Sequence, residues 1–289
     1  MSDPQRIQYT SSDGLELVAF SYGPSDAELT ILCMHGLTRN HKDFEMMIAA
    51  LDPGYRFVAV DVRGRGKSAY DPNPYNYTPL TYAFDMVILL DKLKLDKVVL
   101  IGTSMGGLMS MILMKSIPKR ILGVVLNDIG PALRKRGIAR IISYVGKTKP
   151  FENWGTAAAS IAFYNEMTFP KNTPEDWLLA AKRTCRETES GEIVFDYDPL
   201  IYKAFRMHRI NSATTYLAWR LFDAMRAVPL LLIRGELSDL LSANDAKRML
   251  RRHGNAKLLT LKNIGHAPML DEPESVQEIG SFLRQFTET

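Results

Sequence analysis

The sequence predicts an α/β fold built on a doubly wound, mostly parallel sheet. Short, continuously apolar runs alternate with longer segments of helical periodicity, and polar residues follow directly after the apolar runs. Such runs are typical of strands that are covered on both faces of a parallel sheet. Right-handed crossovers between these strands would place helices on both faces of the sheet.

Each element follows from its own pattern. The opening segment RIQYTSSDGLELVAFSY has Asp13-Gly14 near its centre and predicts a β-hairpin. Helical spacing is present at residues 40–51, 80–93 and 105–117. With the hairpin, the apolar runs give a predicted sheet of eight strands; these runs are residues 28–34, 57–60, 98–101, 121–126, 228–233 and 256–261.

A long segment interrupts this alternation. Residues 131–225 contain no convincing buried strand and are rich in aromatic side chains at helical spacing, which predicts an inserted helical cap over the carboxyl edge of the sheet. The predicted domains are therefore an α/β core, residues 1–130 and 226–289, and a cap, residues 131–225. The stretch RKRGIAR (134–140) is either a solvated basic helix face or a feature that attracts an anionic substrate.

Composition limits the partners and the compartment. The chain has 36 Lys and Arg against 32 Asp and Glu, and a net charge of +4 is too small to indicate nucleic-acid binding. The polar start MSDPQRIQYT lacks the apolar region of a signal peptide, and no apolar run approaches the roughly 18 residues of a membrane-spanning helix. The two cysteines, Cys33 and Cys185, match no metal or redox spacing. We expect a cytoplasmic monomer or homodimer without a metal or organic cofactor.

One serine lies where this fold carries its chemistry. Ser104 is the centre of a G-x-S-x-G motif, Gly102 to Gly106, between an apolar run and a helix. The turn strains the serine backbone, and a Cβ at either flanking glycine would clash with neighbouring elements. The sequence therefore predicts an exposed nucleophilic hydroxyl, with the Met105 amide at the helix N-terminus able to donate to an oxyanion.

A serine hydroxyl needs a base, and the base needs a carboxylate. His266 is predicted to be the base, because NIGHAPMLDEP places it in a loop between the last strand and the last helix. Asp239 follows a predicted strand and gives the chain order Ser…Asp…His, so it is the preferred partner of His266. Asp128 follows the strand after Ser104 and stays open as an alternative acid or a substrate contact.

Together these residues resemble the α/β-hydrolase superfamily, in particular its serine esterases and lactonases with a helical cap. The resemblance rests on five motifs spread over the predicted core: HGLT (35–38), DVRGRGKS (61–68), GTSMGG (102–107), GELSD (235–239) and GHAPMLDEP (265–273). It implies that His35-Gly36 leads into the oxyanion loop, where Leu37 supplies the second backbone donor beside Met105.

The expected reaction is hydrolysis of a small carboxylic ester or lactone through an acyl-enzyme. Ser104 would attack the carbonyl, His266 would move the proton, Asp239 would orient His266, and the amides of Leu37 and Met105 would bind the oxyanion. One alternative is a hydrolase that cleaves a C–C bond in a ring-cleavage diketone, although HGLTRN replaces the more elaborate glycine-rich loop of those enzymes. A ligand receptor without turnover and a scaffold for protein contacts are alternatives of a different class.

Overall fold

The computed structural model describes residues 3–147, 149–207 and 211–287, and these residues form strands and helices in the predicted alternation. The strands are β1 (Gln5–Thr10), β2 (Glu16–Tyr22), β3 (Thr30–Met34), β4 (Arg56–Asp61), β5 (Val98–Thr103), β6 (Ile121–Asn127), β7 (Cys185–Glu187), β8 (Ile193–Phe195), β9 (Leu230–Gly235) and β10 (Ala256–Leu261). The helices are α1 (Glu45–Ala50), α2 (Pro79–Lys92), α3 (Met105–Ser116), α4 (Lys135–Tyr144), α5 (Trp154–Asn165), α6 (Pro174–Thr184), α7 (Ile201–Met207), α8 (Ser212–Ala224), α9 (Ala243–His253) and α10 (Pro273–Arg284). Within the same residues, no helix combines the length and the apolar character needed to cross a membrane.

Eight strands form one sheet, which confirms the predicted fold class. Their order is β1-β2-β4-β3-β5-β6-β9-β10. The β1–β2 and β2–β4 pairs are antiparallel, and the other neighbours in the sheet are parallel. Because these strands are parallel, their carboxyl ends lie at one edge of the sheet. The strand order reverses between β3 and β5, and ligands bind at such a switch point in open α/β sheets.

The central strands are buried on both faces, which explains their continuously apolar sequences. In β5, Val98 and Leu100 pack into one hydrophobic cluster with residues of α2, α3 and α9. Val99 and Ile101 point to the opposite face and pack into a second cluster with residues of α1 and α10. Side chains alternate between faces along a strand, so both sets must be apolar when helices cover both faces.

Part of the segment between β6 and β9 has a hydrophobic cluster of its own, apart from the two clusters that cover the sheet. Its helices α5 and α6 and the small β7–β8 hairpin share a separate hydrophobic cluster that includes Ala158, Ala181 and Ile193. The sequence did not predict this hairpin, because strands of three residues are too short to show a period. The last helix, α8, instead contacts α3 and contributes Trp219 and Phe222 to the main cluster. The division into a core and a cap of residues 131–225 stays a prediction.

Candidate active site

Ser104 lies in a strained turn between β5 and α3, with φ 52° and ψ −110°. Positive φ is costly for a residue with a side chain, and such strain persists only where the surroundings impose it. The adjacent elements do so: a Cβ on Gly102 would lie 2.5 Å from the Gly106 backbone, and one on Gly106 would lie 2.0 Å from the Met34 carbonyl oxygen. The glycines thus let α3 approach the sheet closely and hold the hydroxyl at its carboxyl edge.

His266 connects this hydroxyl to a carboxylate. Its Nε2 lies 2.9 Å from Ser104 Oγ, and its Nδ1 lies 2.8 Å from Asp128 Oδ2. Because a carboxylate oxygen can only accept, Nδ1 carries the proton and Nε2 is left to accept from the serine hydroxyl. The structure therefore brings the predicted Ser104 and His266 together in the orientation that a nucleophile and its base require.

Asp128 is fully buried and held from several sides. The backbone amide of Gly235 donates to its Oδ1 at 3.0 Å, and the hydroxyl of Ser238 donates to its Oδ2 at 2.5 Å. Its own amide donates to the carbonyl of Ile233 at 2.8 Å, which fixes the backbone immediately beyond β6. These bonds leave Oδ2 directed at His266 with little freedom to rotate.

The structure contradicts the prediction that Asp239 orients His266. Both carboxylate oxygens of Asp239 accept from Arg140 on α4, from Nε at 2.7 Å and from Nη2 at 3.0 Å. The bidentate geometry matches the guanidinium fork and occupies the carboxylate. Although burial raises the pKa of Asp239, its bonds to Arg140 outweigh burial and leave the pKa below its ordinary value.

The loop that carries Asp239 anchors α4. The amide of Gly137 donates to the carbonyl of Asp239 at 3.1 Å, and the amide of Arg134 donates to the carbonyl of Leu240 at 3.0 Å. A Cβ on Gly137 would lie 2.7 Å from the Asp239 carbonyl oxygen, so glycine permits this close approach. These backbone bonds hold α4 against the loop, and Arg140 of α4 bonds the Asp239 side chain.

Sequence reasoning also missed a link between β6 and the loop of His266. The buried side chain of Asn127, the last residue of β6, donates from Nδ2 to the carbonyl of Pro268 at 2.8 Å and to Thr103 Oγ1 at 3.1 Å. The first of these bonds ties the loop two residues beyond His266 to the strand that precedes Asp128. No sequence motif marks Asn127 for this role.

The other described histidines are engaged elsewhere. His41 bonds the buried carboxylate of Asp61, and His253, the last residue of α9, bonds the backbone carbonyl of Met225. His35 is fully buried, donates from Nδ1 to its neighbour's carbonyl and accepts a backbone amide at Nε2. Burial lowers the pKa of His35 to about 4, so it is neutral and shapes the loop that follows it. His208 lies outside the described residues.

The two backbone amides predicted to bind the oxyanion, those of Leu37 and Met105, belong to segments next to Ser104. Within the described residues, the amides of Leu37 and Met105 have no acceptor. Met105 is the first residue of α3, where a helix leaves its initial amides unpaired and carries partial positive charge. Gly36, which precedes Leu37, packs near Ser104, since a Cβ on it would lie 3.8 Å from Ser104 Cβ. The role of these two amides as oxyanion donors stays a prediction.

Ser104 lies at the boundary between two cavities of different character. One cavity is lined by His266 and mixes apolar side chains with those of Arg39, Arg140 and Asn165, and we call it the polar cavity. The apolar cavity also reaches Ser104 and is lined by residues of α4 and α7. Its walls are mainly aliphatic and aromatic; they include Leu108, Ile129, Leu133, Ile138 and Phe205. Ser104, Leu37 and Ile141 line both cavities.

These groups form a chemically complete set for acyl transfer. A hydroxyl bonded to a neutral imidazole can lose its proton as it attacks a carbonyl carbon, and a buried carboxylate stabilises the imidazolium that results. Unpaired backbone amides can stabilise negative charge that develops on the carbonyl oxygen. The set requires no group beyond the side chains and the backbone.

Comparisons with known proteins agree with the fold. A family model described as the α/β hydrolase fold matches residues 30–273. The chain is 32% identical over 277 residues to the 3-hydroxybutyrate-oligomer hydrolase of Cupriavidus necator strain H16, which covers 93% of this chain and 94% of that one. It is 21% identical over 283 residues to the (R)-3-hydroxydecanoyl-ACP:CoA transacylase of Pseudomonas aeruginosa, covering 92% and 84%.

A solved structure of an α/β hydrolase from Novosphingobium aromaticivorans has a TM-score of 0.92 at 40% identity and covers 99% of both chains. The similarity therefore extends over the sheet and the inserted segment alike. The relatives include several hydrolases by name, which agrees with the acyl-transfer chemistry that these side chains permit. From the family model, the identity over nearly the full length and the shared sheet, the chain belongs to the α/β-hydrolase family.

Proposed function

We propose that the protein is a serine hydrolase that cleaves a small carboxylic ester or lactone through an acyl-enzyme. Ser104 is the nucleophile, His266 is the general base and acid, and Asp128 holds His266 and stabilises its protonated form. The amides of Leu37 and Met105 bind the oxyanion. The observation that carries the proposal is the unbroken chain of hydrogen bonds from Ser104 Oγ through His266 to Asp128, at 2.9 and 2.8 Å.

The reaction proceeds in two balanced halves. In the first, Ser104 Oγ bonds to the carbonyl carbon, its proton moves to His266 Nε2, and the carbonyl π electrons move to the oxygen. Collapse of this intermediate breaks the ester C–O bond as His266 returns the proton to the leaving alcohol. In the second half, His266 takes a proton from water, which attacks the acyl carbon, and the acid leaves as Ser104 recovers its proton.

The position of His266 sets the orientation of the substrate. Because His266 must protonate the leaving oxygen, the alcohol part of the ester occupies the polar cavity that His266 lines. The acyl part then extends from Ser104 into the apolar cavity with Leu108, Leu133 and Phe205. The site therefore suits an ester with an aliphatic acyl group and a polar alcohol part.

The relatives suggest the ester class to test first. The Cupriavidus necator relative is named for 3-hydroxybutyrate oligomers, and the Pseudomonas aeruginosa relative is named for a 3-hydroxydecanoyl group. An ester of a 3-hydroxy acid has an alcohol part that itself ends in a carboxylate. Arg39 and Arg140 line the polar cavity, but each is already paired with an acid, Asp43 and Asp239, so the suggestion of this substrate class rests on the relatives. We therefore propose short oligomers of 3-hydroxy acids as substrates.

A hydrolysis panel tests this function. It compares 3-hydroxybutyrate dimers and trimers with p-nitrophenyl esters of two to ten carbons, a small lactone and a ring-cleavage diketone. We expect ester turnover, highest for the hydroxy-acid oligomers, and a loss of at least about 10⁴-fold in kcat for Ser104→Ala and for His266→Ala. Turnover of the diketone alone would favour the C–C hydrolase, and ligand binding without turnover would favour the receptor.

Covalent labelling tests the nucleophile without a known substrate. An activated serine reacts with a fluorophosphonate, and mass spectrometry of the digested adduct identifies the modified residue. We expect a single adduct on Ser104 in the wild type and none in His266→Ala on the same time scale. An unlabelled Ser104 in the folded wild type would contradict the proposed function.

A further inference from the structure

Arg65 is a fully buried arginine without a carboxylate partner among the described residues. A buried charge is costly unless opposite charge or hydrogen bonds compensate for it. The nearest comparison is Arg63, two residues earlier in the same loop. Arg63 is equally buried, but it bonds the carboxylates of Asp13, Asp71 and Asp85. In the part of the chain that the structure describes, three carboxylates bond Arg63 and none bonds Arg65.

The neutral groups around Arg65 include both residues whose amides would form the oxyanion hole. Its Nε donates to the carbonyl of Leu37 at 2.9 Å, and its Nη2 lies 3.8 Å from Met105 Sδ. Its Nη1 donates to the carbonyl of Arg63 at 2.7 Å and to the hydroxyl of Tyr82 at 2.9 Å. The guanidinium thus contacts both the loop after β3, at Leu37, and the first residue of α3, Met105.

The guanidinium of Arg65 packs against two aromatic rings instead of a carboxylate. The guanidinium carbon lies 4.9 Å from the ring centroid of Tyr82 and 5.5 Å from that of Tyr77. The nearby carboxylate of Asp198 bonds the hydroxyl of Tyr77 instead, at 2.5 Å. Ring faces attract a cation without cancelling its charge, so the field of Arg65 persists toward Leu37 and Met105.

We propose that Arg65 is a positioning residue for the oxyanion hole and that its unneutralised charge stabilises the oxyanion. The bond to the Leu37 carbonyl fixes the loop that presents the Leu37 amide, and the contact with Met105 holds the second donor. The positive charge acts only as negative charge develops on the carbonyl oxygen, so it favours the transition state over the bound ester. This inference rests on the proposed function, because it requires an oxyanion at this site.

The test compares Arg65→Met, Arg65→Lys and a control, Lys67→Met. Lys67 lies in the same loop but is exposed, so its substitution removes one positive charge without touching Leu37 or Met105. For Arg65→Met we expect kcat for a p-nitrophenyl ester to fall about 10²-fold with KM within threefold, as for loss of one oxyanion donor. Arg65→Lys keeps the positive charge but loses the planar guanidinium, and its kcat should fall about tenfold. Lys67→Met should have the kcat of the wild type.

A second readout separates an oxyanion effect from a general distortion. A trifluoromethyl ketone forms an anionic adduct with the serine, whereas the matching methyl ketone binds without that charge. The inhibition constant of the trifluoromethyl ketone should rise in Arg65→Met by the same factor as kcat falls, and that of the methyl ketone should not change. Thermal unfolding confirms that each variant is folded.

The proposal is overturned if folded Arg65→Met retains kcat within threefold of the wild type, or loses kcat without losing affinity for the trifluoromethyl ketone. If Arg65→Met does not fold, the same two criteria apply to Arg65→Lys. Fluorophosphonate labelling of the wild type keeps the two failures apart. If the wild type is labelled and active but Arg65→Met keeps its kcat, this inference alone is contradicted. If Ser104 is not labelled, the proposed function is contradicted.

Discussion

The loops that follow β6 and β9 lie side by side at the carboxyl edge of the sheet, and each carries an aspartate. Asp128 is the first residue beyond β6, is fully buried and bonds His266. Strand β9 ends at Gly235, and Asp239 lies four residues further along the chain and bonds Arg140 of α4. The difference teaches that a short connection to a strand fixes a carboxylate for chemistry, whereas a longer loop is free to serve packing of the inserted segment.

The loop after β9 nevertheless supports the loop after β6. The Gly235 amide and the Ser238 hydroxyl both donate to Asp128. The last residue of β9, Gly235, and the loop residue Ser238 therefore hold the buried carboxylate of Asp128, whereas Asp239 of the same loop holds α4. Substitutions at neighbouring positions should consequently have very different effects on catalysis.

The largest effect is expected from Asp128→Asn. The amide cannot accept at both atoms, so His266 loses the partner that fixes its tautomer and stabilises its protonated form. We expect kcat to fall about 10³- to 10⁴-fold with little change in KM, measured by steady-state hydrolysis of a p-nitrophenyl ester. Retention of activity within tenfold of the wild type would mean that Asp128 is not the partner of His266.

A smaller effect is expected from Ser238→Ala. This variant removes one donor to Asp128 Oδ2, although the Gly235 amide and His266 remain bonded to the carboxylate. We expect kcat to fall about tenfold and the free energy of unfolding to fall by about 1–3 kcal/mol, since a buried acceptor loses a partner. Ser238→Thr, which keeps a hydroxyl, is the control. An Ala variant with wild-type kcat would show that the remaining bonds suffice to hold Asp128.

The smallest catalytic effect is expected from Asp239→Asn. Because Asp239 bonds Arg140 rather than His266, kcat should stay within about threefold of the wild type. The free energy of unfolding should fall by about 1–3 kcal/mol near neutral pH, because a largely buried ion pair is broken. The double variant Asp239→Asn/Arg140→Gln should lose less free energy of unfolding than the sum of the losses in the two single variants. A loss of kcat as large as that of Asp128→Asn would reverse the comparison.

The pH dependence of stability sharpens the same comparison. The pKa of Asp239 in the folded protein is lower than the ordinary 3.8, so its contribution to stability is present above about pH 4 and is lost as the pH falls further. The wild type and Asp239→Asn should therefore differ in free energy of unfolding at neutral pH and converge at lower pH. Denaturant unfolding at several pH values measures this, and a difference that grows toward acid would be the wrong sign.

The sheet could be predicted because its central strands, β3 to β6 and β9, are buried on both faces and are therefore continuously apolar. The serine turn could be predicted because only glycine fits beside Ser104, at Gly102 and Gly106. The β7–β8 hairpin could not, since each of its strands has only three residues. An element can be predicted from sequence when its burial or its tight packing restricts the residue types that fit, and the short strands β7 and β8 impose no such restriction.

The acid could not be decided from sequence for a specific reason. The chain order Ser…Asp…His holds for Asp128 as well as for Asp239, so the order that favoured Asp239 does not distinguish them. What distinguishes them is Arg140, which lies 99 residues before Asp239 in the chain and meets it only through the packing of α4. Contacts of this kind depend on the tertiary arrangement, which neither periodicity nor motif spacing encodes.

The most direct test of the central claim asks which carboxylate holds His266. An imidazole N–H bonded to a buried carboxylate gives a far-downfield signal in the ¹H NMR spectrum, and loss of that signal in His266→Ala assigns it. His41, which bonds Asp61 through Nδ1 at 2.8 Å, can provide a second signal as an internal reference. The account predicts that the His266 signal persists in Asp239→Asn and disappears in Asp128→Asn; the opposite pattern would contradict it.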